Sequence, residues 1–271
     1  MRSISIRWLL ALLPLALLAG CSNNNNETSP TTGTMRVRMT DAPAAVQAVN
    51  LVVTEVSARV AEGQPDSLSG WQVLSSGSKT VNLLTLQNGT FTTIGEARIP
   101  TGTYTQVRLK LGAGSTVTVD GTTYPLTVPS GEQSGLKLNG TFLVTSGGTT
   151  DVVLDFDASR SIIQTGAGQY MLQPVIRLMS SASAGAIRGV VQPSSATTSI
   201  YATQGVDTVA TALTNTNGAF MMSVLNPGTY QVRFHPQTGF RDTTLTNVVV
   251  SAGQTAVVDT MRLTANPVRP Q

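Results

Sequence analysis

One phrase occurs twice in this chain, and it narrows the possible folds more than any other feature. Pro100-Thr101-Gly102-Thr103-Tyr104-Thr105-Gln106-Val107-Arg108-Leu109 is answered by Pro227-Gly228-Thr229-Tyr230-Gln231-Val232-Arg233-Phe234. Proline and glycine bend a chain into a strand, and a tyrosine just inside that strand can bury its ring while its hydroxyl reaches nearby backbone. Alternating apolar positions follow the tyrosine in both copies, as a half-buried strand requires. Thr, Val, Gly and Ser abound and long helical runs are absent, which is the composition of a β-rich exported protein.

The phrase resembles the tyrosine corner of a Greek-key sandwich. Two copies point to two related sandwiches; chance likeness between Thr-rich strands is the competing explanation. Strand patterns run through the rest of the chain. Met35, Val37 and Met39 alternate with Arg36 and Arg38 until Thr40-Asp41-Ala42-Pro43 breaks the run. Val49 to Val60 is apolar on both faces, as in a strand covered on each side. Trp71 to Leu74, Val81 to Leu84, Leu136 to Leu138, Thr141 to Thr145 and Val152 to Phe156 are further strands. Asn88-Gly89 and Asp120-Gly121 tolerate positive φ and mark tight turns, the second a two-residue hairpin. Asp157 is placed to cap a short helical turn, and Pro174 marks an edge or bend in Tyr170 to Leu178. Composition resets at the small-residue linker Ser180 to Gly185, and strand patterns resume from Ala186 to Leu263.

The N-terminus carries the clearest address. Arg2 and Arg7 precede an apolar run, Trp8 to Leu18, interrupted only by Pro14. That run suits a secretory signal better than a membrane span, which needs ~20 apolar residues. Leu18-Ala19-Gly20-Cys21 resembles the lipobox of bacterial lipoproteins. The resemblance implies that signal peptidase recognises Leu18, Ala19 and Gly20, and that Cys21 becomes the acylated first residue of the mature chain. Membrane affinity would then come from the lipid, at ~0.8 kcal/mol per buried methylene. An ordinary cleaved signal with a chance cysteine is the alternative. Ser22 after the cysteine favours the outer membrane in typical Gram-negative lipoproteins. Cys21 is the only cysteine, so no intramolecular disulfide is possible.

These features divide the chain into a signal peptide over 1–20, a lipidated flexible tether over 21–33, sandwiches over 34–180 and 184–263, and a frayed tail over 264–271. The formal charge of +3 includes Arg2 and Arg7, only 11% of residues are charged, and no basic cluster occurs. Nucleic acid is therefore not an expected partner.

Few residues suggest chemistry. His235 is the only histidine and follows Phe234 at a strand exit, a poor setting for a catalytic base. Asp155 and Asp157 are two apart and could join Asp41 or Asp151 around calcium, whose hard ion wants ~6–8 oxygens. Solvated or capping roles suit these carboxylates better, and an acid–base pair for glycoside cleavage is weaker still. Trp71, Tyr104, Tyr124, Tyr170, Tyr201 and Tyr230 could stack on a sugar, although core or corner roles explain most of them. Trp71, after a glycine at a loop exit, is the candidate ligand contact. Asn88-Gly89-Thr90 and Asn139-Gly140-Thr141 match a glycosylation pattern but are better explained as turns. No Gly-rich phosphate loop is present, and no cofactor is expected.

Two family resemblances cover most of the chain. Thr40-Asp41-Ala42-Pro43, Val81-Asn82-Leu83-Leu84, Pro100 to Gln106, Tyr124 to Gly131, Gly135 to Leu138 and Asp155-Phe156-Asp157-Ala158 resemble the bacterial family of domain of unknown function 4382. That family implies a lipoprotein ectodomain and supplies no catalytic residue. Ile187 to Val191, Thr216 to Phe220 and Pro227 to Tyr230 resemble the carboxypeptidase-regulatory-like group of transthyretin-type sandwiches. Ala196 to Tyr201 departs from that group's usual Pro-Gly turn and puts the early strands in doubt. Carbohydrate binding is at most a fold-level analogy here.

The expectation is an all-β protein, two tandem sandwiches of transthyretin-like or immunoglobulin-like Greek-key type, on a lipid anchor in the cell envelope at the outer membrane, facing periplasm or surface. Its expected role is non-enzymatic presentation of binding or structural modules. A carbohydrate-binding surface lipoprotein and a fimbria-like assembly subunit, whose exposed strand edge pairs with another chain, are the alternatives. Expected partners are the membrane, through the lipid, and a glycan or protein.

Overall fold

The computed structural model describes residues 31–63, 70–129, 134–237 and 239–267. Leu18, Ala19, Gly20 and Cys21 lie outside the described residues. Among the described residues no helix is long and apolar enough to cross a membrane.

Among the described residues, twelve strands build the first sandwich: β1 (Thr32–Ala42), β2 (Ala48–Val60), β3 (Trp71–Asn82), β4 (Thr92–Pro100), β5 (Gly102–Leu111), β6 (Thr116–Val119), β7 (Thr122–Thr127), β8 (Leu136–Val144), β9 (Thr149–Asp157), β10 (Ile162–Gln164), β11 (Tyr170–Leu172) and β12 (Ile176–Ser180). One sheet has the order β12-β9-β1-β4, with β1 and β9 parallel. In the other, β2 is flanked by β3 and by β5-β8, and β6-β7-β11-β10 extend it from the start of β2. Met35, Val37 and Met39 of β1, Leu154 and Phe156 of β9, Leu51 and Val56 of β2, and Val107 and Leu109 of β5 close one core between the sheets.

Among the described residues, eight strands build the second sandwich: β13 (Gly185–Gln192), β14 (Thr198–Gln204), β15 (Asp207–Leu213), β16 (Ala219–Leu225), β17 (Gly228–Pro236), β18 (Thr243–Val250), β19 (Thr255–Val257) and β20 (Met261–Arg262). Its sheets are β16-β13-β19, with β20 also on β13, and β15-β14-β17-β18. A separate core lies between them. Phe220 and Phe234 meet across the two sheets edge to face, with centroids 5.7 Å apart.

The recurring phrase makes the same structure twice. Tyr104 donates its hydroxyl to the Pro100 carbonyl at 2.9 Å, and Tyr230 donates to Asn226 at 2.7 Å, each four residues upstream. Both rings are buried. Thr105, one of the two residues the first copy has beyond the second, is a β-bulge: β5 spends an extra residue opposite β2 between Tyr104 and Gln106. Val107 and Leu109 thereby return to the core, as Val232 and Phe234 do in β17, where the extra residue of the β17–β18 pair lies on β18 instead.

Bulging also explains the apparent two-sided apolarity of β2. Val49, Leu51 and Val53 point inward; after an extra residue at Thr54 relative to β5, the inward set becomes Val56, Ala58 and Val60. One face is buried throughout, and the sequence parity switches. Three other expectations change. β1 starts at Thr32, two residues before the expected boundary, and runs through Thr40 and Asp41 to Ala42 rather than breaking at Thr40. Trp71 to Asn82 is one strand, followed by a 3₁₀ turn, Leu83–Leu86, capped by the Asn82 side chain. Thr264 and Asn266 are held by backbone bonds with Arg241 and Gly239, so the tail frays later than expected. The Asp120-Gly121 hairpin has the expected positive φ at both residues, +48° and +75°.

Candidate interdomain site

The carboxylates singled out in the sequence do not gather around one point. Asp151 accepts two bonds from Arg36, at 2.6 and 2.9 Å, on the outer side of β1. Asp157 caps α1 (Ala158–Ser161) by accepting from Arg160 N–H at 3.1 Å. Asp155 pairs with Arg177. Among the described residues, no three His, Cys, Asp or Glu side chains are grouped to hold a metal ion.

Asp155 and Asp41 instead define a seam between the sandwiches. β12 lies antiparallel to β9 and sets Arg177 opposite Asp155. Arg177 donates through Nε to Asp155 Oδ2 at 2.9 Å, and its Nη2 also contacts that oxygen. The same guanidinium reaches into the second sandwich, to the Val209 carbonyl at 2.5 Å and the Ser223 carbonyl at 3.4 Å. Such use of a planar, multi-donor cation is beyond what lysine could do. Asp155 is 6% exposed. Burial pushes its carboxyl up to about 6, against the opposing pull of Arg177.

Asp41, near the end of β1, is 5% exposed. Its Oδ1 accepts from Ala158 N–H at 3.0 Å. Burial pushes this carboxyl up to about 8; the Ala158 bond lowers it, and the negative charges of Asp155 and Asp157 raise it further. The turn residue Asn88 completes the seam by accepting from Met221 N–H of β16 at 3.3 Å. The expected linker is a compact turn: Ala184 N–H bonds the Ser180 carbonyl, Ser181 N–H bonds Asp151, and the Ser181 hydroxyl accepts from Arg38.

Beside the seam lies a cleft of about 350 Å³. Pro43, Ala44 and Ser159 line one wall, and Ser199, Tyr201 and Gln237 the other. Of the aromatic candidates, Tyr201 lines this concave setting. Tyr104 and Tyr230 are corner residues, and Tyr124 and Tyr170 pack on each other with centroids 5.0 Å apart. Trp71 is half-buried, but the Arg108 guanidinium sits 4.2 Å from its ring centroid, and Arg108 is held there by Glu55 and Ser57. A sugar at Trp71 would compete with that cation for the ring. His235 bonds Asp242 at 2.9 Å on an exposed strand end. Arg177 was not singled out from the sequence; its only signal there is one charge in the apolar run Val175 to Met179.

Comparisons with known proteins place the first sandwich. The family model described as "Domain of unknown function (DUF4382)" matches residues 32–174. No curated protein sequence matches the chain. Solved structures that align with it include the minor pilin GBS52 of Streptococcus agalactiae, at 12% identity over 88% of this chain and 99% of that one, TM-score 0.23. The shaft pilin SpaA of Lactobacillus rhamnosus GG aligns at 8% identity over 89% and 100%, TM-score 0.25. A fimbrial protein of Bacteroides ovatus aligns at 10% identity over 86% and 50%, TM-score 0.26. These scores are too low to carry an argument about this chain.

Proposed function

We propose that this chain, which belongs to the DUF4382 family of unknown function, is a non-enzymatic lipoprotein of the cell envelope that holds two sandwich modules as one stiff body above the membrane. The observation that carries the reading is the Arg177 clasp. One side chain of the first module binds a buried carboxylate of its own module and two carbonyls of the second. A joint of that kind resists the relative motion that is otherwise the default between domains. The anchor rests on Leu18-Ala19-Gly20-Cys21, and the second module is of the carboxypeptidase-regulatory-like type on its Ile187 to Val191, Thr216 to Phe220 and Pro227 to Tyr230 phrases. We assign the outer membrane on Ser22, with the modules facing either periplasm or surface.

Cells fed an alkyne analogue of palmitate test this reading. Wild-type protein should carry the label and sediment with membranes, and Cys21→Ser should lose both. Unlabelled wild-type protein in the medium would end the lipoprotein assignment. Protease added to whole cells then tells the two faces of the membrane apart.

A second reading, sugar binding, is favoured by the cleft. It combines the Tyr201 ring with the hydroxyls of Ser159 and Ser199 and the amide of Gln237, the mixture of apolar face and polar edge that a small saccharide needs. Glycan-array binding that disappears in Tyr201→Ala but survives Trp71→Ala would support it; binding unaffected by Tyr201→Ala would reject it.

A further inference from the structure

Three buried side-chain oxygens with no protein partner converge on the seam. They are Asp41 Oδ2 from the first sandwich, and Thr211 Oγ1 and Ser223 Oγ from the second. All three residues line one small cavity together with Asp155 and Arg177. Native proteins rarely leave such atoms unsatisfied, and a cluster of three around one space is a built site for a polar occupant. The cavity has a volume of about 10 Å³, enough for one water centre. A buried water makes about three hydrogen bonds, which matches the three orphaned oxygens. A calcium ion would want ~6–8 oxygens and would face the Arg177 cation across the same space.

We propose that this cavity binds a single water molecule, that Asp41 as the neutral acid donates to it, and that ionisation of Asp41 loosens the seam between the two sandwiches. With the acid protonated, one water reaches all three orphaned oxygens. Asp41 Oδ2–H donates to the water oxygen, and the water's two protons go to Thr211 Oγ1 and Ser223 Oγ. An ionised Asp41 is a second buried negative charge beside Asp155, with Asp157 also acting on it. Arg177, the cation of the seam, already serves Asp155. The walls contributed by the turn and by the second sandwich, at Asn88, Gly89, Ala210, Thr211, Met221, Met222 and Ser223, carry no titratable group that could neutralise it. Parting the modules would hydrate the charge, so ionisation favours the parted state.

The direction of the pH effect follows from the raised carboxyl. Asp41 titrates near 3.8 when hydrated and at about 8 in the closed seam. The closed state thus holds an extra proton between those values. Its advantage is complete below the lower value and disappears as pH rises through the upper one. Asp155 is half titrated at about 6, so most of the pH dependence from pH 6 to 8 belongs to Asp41.

Hydrogen exchange at the Met221 amide reads the seam, because its bond to Asn88 crosses it. In the full chain, protection corrected for the intrinsic rate should fall about tenfold per pH unit from pH 6 to 8 and level off above that. Asp41→Asn, whose amide can keep both bonds without titrating, should stay protected and flat across the window. A crystal grown near pH 6 should show one water within hydrogen-bond distance of Asp41 Oδ2, Thr211 Oγ1 and Ser223 Oγ. Flat protection in the wild type, an unchanged pH profile in Asp41→Asn, a dry cavity or a metal ligated by Asp41 would each overturn the proposal.

Discussion

Replacing Arg177 by methionine removes the cation from the seam while keeping much of its aliphatic bulk. Two losses follow, and they separate by pH. The first is the pair of bonds to the Val209 and Ser223 carbonyls, which at about 1 kcal/mol each gives about 2 kcal/mol at any pH. The second concerns Asp155. Burial raises its carboxyl and Arg177 lowers it, with a net position of about 6 against 3.8 when exposed. Removing Arg177 leaves burial unopposed, so the carboxyl of the variant moves higher. A carboxyl raised on folding holds extra protons in the native state, and its contribution is lost as pH rises through the folded value. Wild type completes that loss at about 6, and the variant continues to lose stability beyond it. The gap should widen by about 1.4 kcal/mol per pH unit above pH 6. Arg177→Met should therefore cost about 2 kcal/mol at pH 5 and about 4–5 kcal/mol at pH 8, the range expected for a broken buried pair. Asp41 titrates in both proteins and cancels from the difference to first order. Urea denaturation at the two pH values measures the gap, with Trp71 fluorescence in a Trp8→Phe background reporting the first sandwich. Adding Asp155→Asn to both proteins should abolish the pH dependence of the gap. A gap equal at pH 5 and pH 8, or below about 1 kcal/mol at pH 8, would refute the claim that Arg177 exists to hold a buried charge.

The two corners should behave alike. Tyr104→Phe and Tyr230→Phe each strand one carbonyl and should each cost about 1 kcal/mol in urea denaturation, adding within about 0.5 kcal/mol in the double variant because they sit in separate cores. Gly218 turns β16 at φ +76°, and a Cβ there would lie 2.2 Å from the Val191 carbonyl oxygen. Gly218→Ala should destabilise the second sandwich by more than about 2 kcal/mol, whereas Gly205→Asn, at φ +61° in open space, should cost under about 1 kcal/mol.

What the sequence disclosed was local. Each corner joins residues four apart, and the Asp120-Gly121 hairpin and the Asp157 cap span even less. Pattern and turn chemistry suffice for such features. The bulges were hidden because one inserted residue, Thr54 or Thr105, leaves composition unchanged and alters only parity. The seam was hidden for a different reason. Arg177 meets Val209 and Ser223 across 32 and 46 residues, and nothing near it in the chain announces those partners. The two carboxylates grouped as a calcium pair, Asp155 and Asp157, are two apart in sequence but serve a seam and a helix cap.

The first strand among the described residues, β1, sits in the interior of its sheet, between β4 and β9. Its parallel neighbour arrives late: Arg36 waits for Asp151, 115 residues onward. A polypeptide emerging N-terminus first cannot complete this module until most of it has been made, since closing so long a loop slows assembly. The consequence is a built-in delay. If, as proposed, the chain is exported through a translocation pore, this module remains slack during passage and locks only on the far side.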